Sequence, residues 1–323
     1  VIACGVWPIH RQKIGGRPCI LLYHVGAGCV KANARCAQVD NRAMNTATPT
    51  SQTIAFIGGG NMASAIAGGL VQHGVSPAQL IVVEPFEATR DALKASHGIA
   101  ALPAASDALA AAELVIWAVK PQVFAQAAQP VAPFTKNALH LSVAAGIPTD
   151  AIARWLGTER IVRAMPNTPA LVGLGMTALF ARNSAKGGAS ADDRALVERV
   201  LAGTGQTLWV SEESQLNAVT ALSGSGPAYV FYFLEAMQQA GQNMGLPANQ
   251  ALQLAIGTFA GAAELARRSP ETPAMLRERV TSKGGTTFAA LESMRADQVA
   301  EHFIAAMKAA EVRSQELGDE FGK

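Results

Sequence analysis

The chain has 323 residues, of which half are hydrophobic and 15% are charged, so the composition predicts a globular protein of about two domains and argues against a disordered one. No apolar run reaches the ~20 residues that cross a bilayer, which predicts a soluble protein without a membrane partner. Residues 1–43 hold six of the 26 basic residues and one of the 24 acidic ones, leaving 20 basic and 23 acidic residues elsewhere. The net charge of +2 therefore belongs to this segment and does not indicate a nucleic-acid partner.

The first 43 residues differ from the rest of the chain. They contain all four cysteines, whose spacing includes no CxxC pair and so does not favour a metal site: Cys4, Cys19, Cys29 and Cys36. Met44 then opens a polar lead-in to the first strand of the body. We expect residues 1–43 to be an extraneous or disordered extension. The cysteine-free remainder favours a cytoplasmic enzyme.

From residue 53 onward, short β-rich runs alternate with helical patterns. Strands are predicted at residues 53–57, 80–84, 114–119, 138–143 and 161–165, and helices between them at 62–73, 86–96 and 123–128. This alternation predicts βαβ units and a mostly parallel sheet with helices on both faces. Two later strands, at 176–181 and 207–210, flank a helix at 191–201 and are expected to extend the sheet at one edge.

After residue 212 the strand pattern stops and only helical periodicity remains. Helices are predicted at residues 229–244, 248–268, 273–280, 288–294 and 298–317. The sequence therefore predicts an α/β Rossmann domain for dinucleotide binding at residues 44–212. An all-α domain for substrate binding and dimerisation follows at residues 213–323.

A glycine-rich motif follows the first strand of the body. It is G-x-G-x-x-A, in which one glycine makes the tight turn, the next lets a pyrophosphate approach, and the alanine packs helix on strand: Gly58, Gly59, Gly60, Asn61, Met62 and Ala63. Such turns are common, but here the motif opens a helix within a βαβ unit and so favours a cofactor site. Glu84 ends the second strand, where an acid would bind ribose hydroxyls and favour NADH over NADPH. It could equally begin a turn with Pro85, and nearby Arg90 complicates the inference.

Two further strand ends carry candidate cofactor residues. One strand ends in Ala118, Val119, Lys120 and Pro121, which places the lysine at the ligand crevice or, alternatively, on the surface of a plain strand end. The other leads into a stiff loop in which two prolines flank Asn167 and Thr168. That loop could border a nicotinamide ring.

The stretch Ser282-Lys283-Gly284-Gly285-Thr286-Thr287 interrupts the helical region. Adjacent glycines allow a sharp turn, and the threonines stand where the next helix begins with its free N–H groups. Three neighbouring hydroxyls favour a small carboxylate ligand at this helix start. The alternative is that this stretch is an ordinary joint between helices. Residues 222–229 form a similar small-residue stretch, which could likewise be simply a tight elbow between the domains.

Side chains for other chemistry are missing from the sequence. The six histidines show no metal-ligand spacing, and no nucleophile-histidine set or carboxylate pair stands in a motif. A bound cofactor would therefore have to supply the reactive group, with the protein adding position and electrostatics.

Together these motifs resemble the pyrroline-5-carboxylate reductase family over residues 53–323. The resemblance lies in residues 56–63, 118–121, 165–169, 223–228 and 281–287, in the family's order and spacing. Lys283 stands where many members have proline. The resemblance implies a Rossmann domain followed by a helical domain that interlocks with a partner's into a dimer, which often assembles further into a decamer.

The implied reaction is hydride transfer from NADPH, or possibly NADH, to the C=N carbon of 1-pyrroline-5-carboxylate, giving L-proline. By its match to the family motif, Thr287 supplies a hydroxyl near the imine nitrogen. Ser282 and Gly284 complete the substrate site, and the N–H groups of Gly285, Thr286 and Thr287 hold the carboxylate. The alternatives are a related imine reductase, a β-hydroxyacid dehydrogenase, or a non-catalytic dinucleotide sensor. The dehydrogenase would need a lysine that residues 229–244 and 248–268 lack.

Overall fold

The computed structural model describes residues 11–14, 17–20, 52–185 and 187–322. The chain divides into two compact units, Val1–Thr46 and Ala47–Lys323. In the first unit, strands β1 (Arg11–Ile14) and β2 (Arg17–Ile20) pair antiparallel, although the sequence predicts no element there. The remainder of the expected extension lies outside the described residues.

The second unit is built on alternating strands and helices. The first of these elements are β3 (Ile54–Ile57), α1 (Asn61–Gln72), β4 (Leu80–Val83), α2 (Glu87–His97), β5 (Leu114–Trp117), α3 (Phe124–Val131), β6 (Leu139–Ser142), α4 (Thr149–Leu156) and β7 (Ile161–Met165). The predicted strands at 80–84 and 114–119 are slightly long. They stop at Val83 and Trp117 because the chain turns there toward Pro85 and Pro121.

The next elements complete the sheet. They are β8 (Gly175–Ala181), the short hairpin β9 (Asn183–Ser184) and β10 (Gly187–Gly188), α5 (Ala191–Leu201) and β11 (Gly205–Trp209). The sheet has seven strands in the order β11-β8-β7-β6-β5-β3-β4. All neighbours pair parallel except β7 and β8, so the predicted edge extension is confirmed and is antiparallel to the main sheet.

The sheet is covered on both faces, and alternate residues of its strands separate into two cores. Ile54 and Phe56 of β3 pack in one core with α1, whereas Ala55 and Ile57 pack in the other with Phe124 of α3. All four residues of β3 are buried, as continuous apolar strands of parallel sheets require. The carboxyl ends of β3 and β5 lie where the strand order reverses, which is the ligand crevice of such sheets.

The remainder of the chain is helical, as predicted. It comprises α6 (Gln215–Val219), a π-helical turn at Thr220–Gly224, α7 (Gly226–Asn243), α8 (Ala248–Arg268), α9 (Pro273–Arg279), α10 (Thr286–Ala296) and α11 (Val299–Phe321). Few residues in these long helices are buried. In α7 the buried residue is Gly241, and in α8 the buried residues are Ala251 and Ala255. The helices therefore lack a closed core within one chain.

Candidate functional site

Gly58 turns the chain sharply at the end of β3. Its φ is +93°, and a Cβ there would lie 2.6 Å from the carbonyl oxygen of Ala118. The Gly58 N–H donates to the carbonyl of Val83 at 2.8 Å. The glycine loop thus contacts the ends of both neighbouring strands, and only glycine fits the position without strain.

The start of α1 forms an open cradle next to this turn. Gly60 is the N-cap residue, no side chain caps the helix, and a Cβ on Gly60 would meet nothing within 4 Å. The first turn, which contains Asn61, Met62 and Ala63, has no acidic residue. Free N–H groups, no negative charge and open space fit a dinucleotide pyrophosphate.

Glu84 directly follows the last residue of β4 and points back into the protein. The residue is 6% exposed, its Oε2 accepts the N–H of Gly59 at 2.8 Å, and its Oε1 accepts the N–H of Phe86 at 2.9 Å. The carboxylate therefore ties the glycine loop to the strand end. The predicted contact with ribose stays a prediction.

Ala118, Val119, Lys120 and Pro121 lie beyond β5, at the same edge of the sheet as the glycine loop. The N–H of Ala118 donates to the carbonyl of Ile57 at 2.8 Å. Lys120 is exposed at the start of a short 3₁₀ turn, whose first residue is Pro121. These residues border the crevice, and the lysine is free to reach into it.

Asn167 joins the sheet to the helical region. Its Nδ2 donates to the hydroxyl of Ser223 at 3.1 Å, and its Oδ1 accepts the N–H of Met176 at 2.9 Å. Two motifs that are far apart in sequence, one after β7 and one before α7, therefore meet through this amide. The tight packing of Gly224 on Met165, where a Cβ would lie 2.4 Å from the methionine Cε, strengthens this joint.

A partly buried ion pair between the sheet and the start of the helical region was missed by sequence reasoning. Arg163 of β7 is 7% exposed and donates from Nη1 to Glu213 Oε1 at 2.7 Å. Glu213 also accepts the N–H and the hydroxyl of Thr149, each at 2.7 Å, at the start of α4. Burial lowers the pKa of Arg163 below its usual value, although the Glu213 carboxylate opposes this. No local pattern signals the pair, because its partners are 50 residues apart.

The stretch at residues 281–287 forms a turn that opens α10. Gly284 has φ +73°, and Gly285 is the N-cap of α10, without a side-chain cap. Thr287 is half-buried, whereas Ser282 and Thr286 are exposed. The helix start predicted from sequence is confirmed.

One predicted donor of this turn is already engaged. The Gly285 N–H donates to the carbonyl of Ser282 at 2.9 Å and closes the turn, so the N–H groups of Thr286 and Thr287 are the predicted donors that remain. Toward its N-terminal side this turn bonds to the end of α9, where Thr281 donates from its N–H to the carbonyl of Glu278 at 3.0 Å and from its hydroxyl to that of Arg277 at 2.6 Å. The described chain therefore joins the cofactor-side residues to one another but does not link this turn to them by hydrogen bonds.

Two other kinds of site receive no support from the described residues. They contain no group of three or more His, Cys, Asp or Glu side chains that could hold a metal ion. None of their helices is long and apolar enough to span a membrane.

Two family models match the chain. Residues 213–317 match the model described as pyrroline-5-carboxylate reductase dimerisation, and residues 53–146 match that described as NADP oxidoreductase, coenzyme F420-dependent. The first match begins at Glu213, the partner of Arg163, and the second covers the glycine loop and the end of β5.

Similar full-length proteins are pyrroline-5-carboxylate reductases. That of Pseudomonas aeruginosa is 41% identical over 272 residues, which are 84% of this chain and 98% of the relative. That of Haemophilus influenzae is 42% identical over 267 residues, 82% of this chain and 97% of the relative.

Solved structures give the same result. The pyrroline-5-carboxylate reductase of Coxiella burnetii has a TM-score of 0.75 and 37% identity, covering 83% of this chain and 99% of its own. The Plasmodium falciparum pyrroline carboxylate reductase, solved with NADP bound, has a TM-score of 0.73 and 26% identity, covering 83% and 98%.

Proposed function

The chain belongs to the pyrroline-5-carboxylate reductase family, and from that premise we propose that it reduces the C=N bond of 1-pyrroline-5-carboxylate with NADPH to give L-proline. One observation carries the proposal: two features occur together in this chain. The first is an open glycine cradle at the point where the strand order of the sheet reverses, and the second is a segment, residues 213–317, that matches the family's dimerisation model. A non-catalytic sensor would need only the first of these.

On the cofactor side, we assign the pyrophosphate to the cradle at the start of α1, formed by Gly58 to Ala63. When bound, the nicotinamide supplies the hydride for the imine carbon. Ala118 to Pro121 border the nicotinamide half of the crevice. Asn167 fixes the loop after β7 against Ser223, and so fixes the wall on which the ring would rest. NADH is the second reductant to test.

On the substrate side, we assign the turn of residues 282–287. The free N–H groups of Thr286 and Thr287 at the start of α10 would hold the substrate carboxylate. Ser282 and Gly284 would shape the turn around it. The Thr287 hydroxyl would donate toward the imine nitrogen and orient the ring.

A threonine hydroxyl is a weak acid, so we assign Thr287 hydrogen bonding rather than delivery of the proton. A ring imine is already electrophilic, and more so when protonated. The protein therefore needs to position the substrate and to stabilise the charge that moves during transfer, without a metal or a strong base.

The family match to a dimerisation model supports a homo-oligomer. We assign the exposed apolar residues of α7 and α8 to the dimer contact, and we propose that dimers assemble further into a decamer. The body of the protein has no cysteine after residue 43, which supports a place in the reducing cytoplasm.

A steady-state assay tests the function. We expect NADPH oxidation that depends on pyrroline-5-carboxylate and yields proline, with NADH measured in parallel. Tight binding of NADPH without turnover would instead establish a sensor. Turnover of other cyclic imines but not of pyrroline-5-carboxylate would point to a related imine reductase.

A further inference from the structure

The turn between β4 and α2 holds one acid and one arginine in different surroundings. Both oxygens of Glu84 accept backbone N–H groups, from Gly59 at 2.8 Å and Phe86 at 2.9 Å, and the residue is 6% exposed. Each oxygen is thus held on a backbone N–H, whose donor dipole offsets part of the carboxylate charge. Glu84, which from the sequence alone was expected to disfavour a 2′-phosphate, thus serves in the structure to fasten the glycine loop.

Arg90 lies in the first turns of α2, next to the same turn. Its Nη1 donates to the carbonyl oxygens of Glu84 at 3.0 Å and Pro85 at 2.6 Å, which holds the half-buried guanidinium at the end of β4. Among the described residues, Nε and Nη2 of Arg90 have no hydrogen-bond partner. A guanidinium carries five N–H donors in a planar fork, so a held Arg90 keeps donors for a further group.

The chemistry of that group follows from its place. Residues 84–90 contain no other cation, and the end of the second strand of a Rossmann sheet faces the adenosine ribose. A phosphate on the ribose 2′ oxygen matches the guanidinium fork in geometry and charge.

We propose that Arg90 binds the 2′-phosphate of NADPH and sets the cofactor preference, while Glu84 is a positioning residue for the glycine loop. The inference rests on the proposed function, because it takes the crevice to hold a nicotinamide dinucleotide. It reverses the expectation from sequence that Glu84 favours NADH. The acid is fastened to the glycine loop, and the arginine governs the choice between the two cofactors.

Equilibrium binding to the full-length protein without substrate tests this. Calorimetry with NADP⁺ and NAD⁺ would compare the wild type with Arg90→Met, Arg90→Lys and Glu84→Gln. We expect Arg90→Met to weaken NADP⁺ binding about 10- to 100-fold and NAD⁺ binding less than about 3-fold, the scale of one charge-assisted bidentate contact. Arg90→Lys keeps the charge but loses the fork, so it should fall between.

Glu84→Gln serves as the matched control. It keeps the shape of the side chain but weakens its hold on the Gly59 N–H, so both dinucleotides should lose affinity by the same factor. Equal losses of NADP⁺ and NAD⁺ in Arg90→Met would overturn the proposal, since Arg90 would then only support the loop. A changed NADP⁺/NAD⁺ ratio in Glu84→Gln would overturn the role given to Glu84. Because no turnover is measured, these results stand apart from the test of the reductase activity.

Discussion

Two glycines of the cofactor loop differ in what a methyl group would meet. At Gly58, with φ +93°, a Cβ would lie 2.6 Å from the Ala118 carbonyl oxygen, whereas at Gly60 it would meet nothing within 4 Å. Gly58→Ala should therefore destabilise the protein by about 1–3 kcal/mol through backbone strain and contact. Gly60→Ala should change the free energy of unfolding by less than about 0.5 kcal/mol. Urea unfolding of both variants measures this.

The binding of NADPH should rank the same two variants differently. The methyl of Gly60→Ala occupies the space assigned to the pyrophosphate, so affinity should fall at least about tenfold, or 1.4 kcal/mol, although the fold is intact. If Gly60→Ala binds NADPH as the wild type does, the pyrophosphate does not lie at the start of α1 and the cradle assignment fails.

Thr287 offers a test of the substrate-side assignment. If its hydroxyl bonds the imine nitrogen as hydride arrives, Thr287→Ala should lower kcat/KM about 10- to 1000-fold, roughly 1.4–4 kcal/mol, the scale of one preorganised hydrogen bond. The affinity for NADPH should barely change. Thr287→Val keeps the shape without the hydroxyl and should match Ala, whereas Thr287→Ser should recover part of the rate. Full activity in the valine variant would reduce Thr287 to a packing residue.

At this scale the sequence predicted residue types better than contacts. The glycine turns at Gly58 and Gly284 followed from the requirement for a positive φ, which is a local property. The direction in which Glu84 points did not follow, because it depends on the N–H groups of Gly59 and Phe86 in three dimensions. For the same reason the ion pair of Arg163 with Glu213 could not be found from spacing.

At the scale of elements, His140 links β5 and β6 through a buried network. Trp117 Nε1 donates to His140 Nδ1 at 3.0 Å, and His140 Nε2 lies 3.1 Å from the carbonyl of Thr135, which fixes the neutral ring with its proton on Nε2. Burial lowers the pKa of His140 to about 4 from 6.5. The folded protein therefore keeps this ring neutral in a range where the unfolded chain protonates it.

The sign of the pH effect follows from that depressed pKa. The contribution of His140 is fully present above pH 6.5 and is lost as the pH falls toward 4, since protons bind the unfolded chain first. We expect the free energy of unfolding to fall by about 3 kcal/mol from this group between these limits. Comparing the pH slope of urea unfolding in the wild type and in His140→Gln isolates the effect. An unchanged slope in the variant would show that His140 does not titrate this way.

Most elements were predictable because their patterns are local. Continuous apolar runs gave the parallel strands, and α5 and α8 lie at the predicted bounds. The hairpin of β9 and β10 was missed because its strands have two residues each, including Gly187 and Gly188, and carry no β pattern. The π-helical turn at Thr220–Gly224, which packs against Met165 through Gly224, was likewise missed, since no local sequence pattern marks it.

At the scale of the whole molecule, the two parts of residues 52–322 differ in how well they bury their apolar side chains. The sheet buries two cores within the chain. In the helical part, large apolar side chains stay exposed, for example Tyr232 at 69%, Leu254 at 59% and Leu265 at 68%. Helical periodicity alone could not show this, because an apolar stripe looks the same whether it faces its own chain or another copy. The family match to a dimerisation model supports the proposal that this stripe contacts a second copy.

Association of the helices is therefore the last property to test. Covering several large side chains contributes about 25 cal/mol for each Å² of apolar surface, so a second copy should stabilise the fold strongly. We expect light scattering to give at least twice the 33.5 kDa chain mass, and the melting temperature to rise with protein concentration. Leu254→Glu or Leu265→Glu places a charge in the contact and should shift the protein toward monomer and lower its melting temperature.

Leu208→Glu is the control, because that leucine is 42% exposed but lies on edge strand β11 of the sheet. A wild type that runs as a monomer, or a Leu208 variant that dissociates as readily as the helix variants, would place the contact elsewhere. A mass of ten chains would establish the decamer, and the Leu254 variant would then show whether the dimer is its building unit.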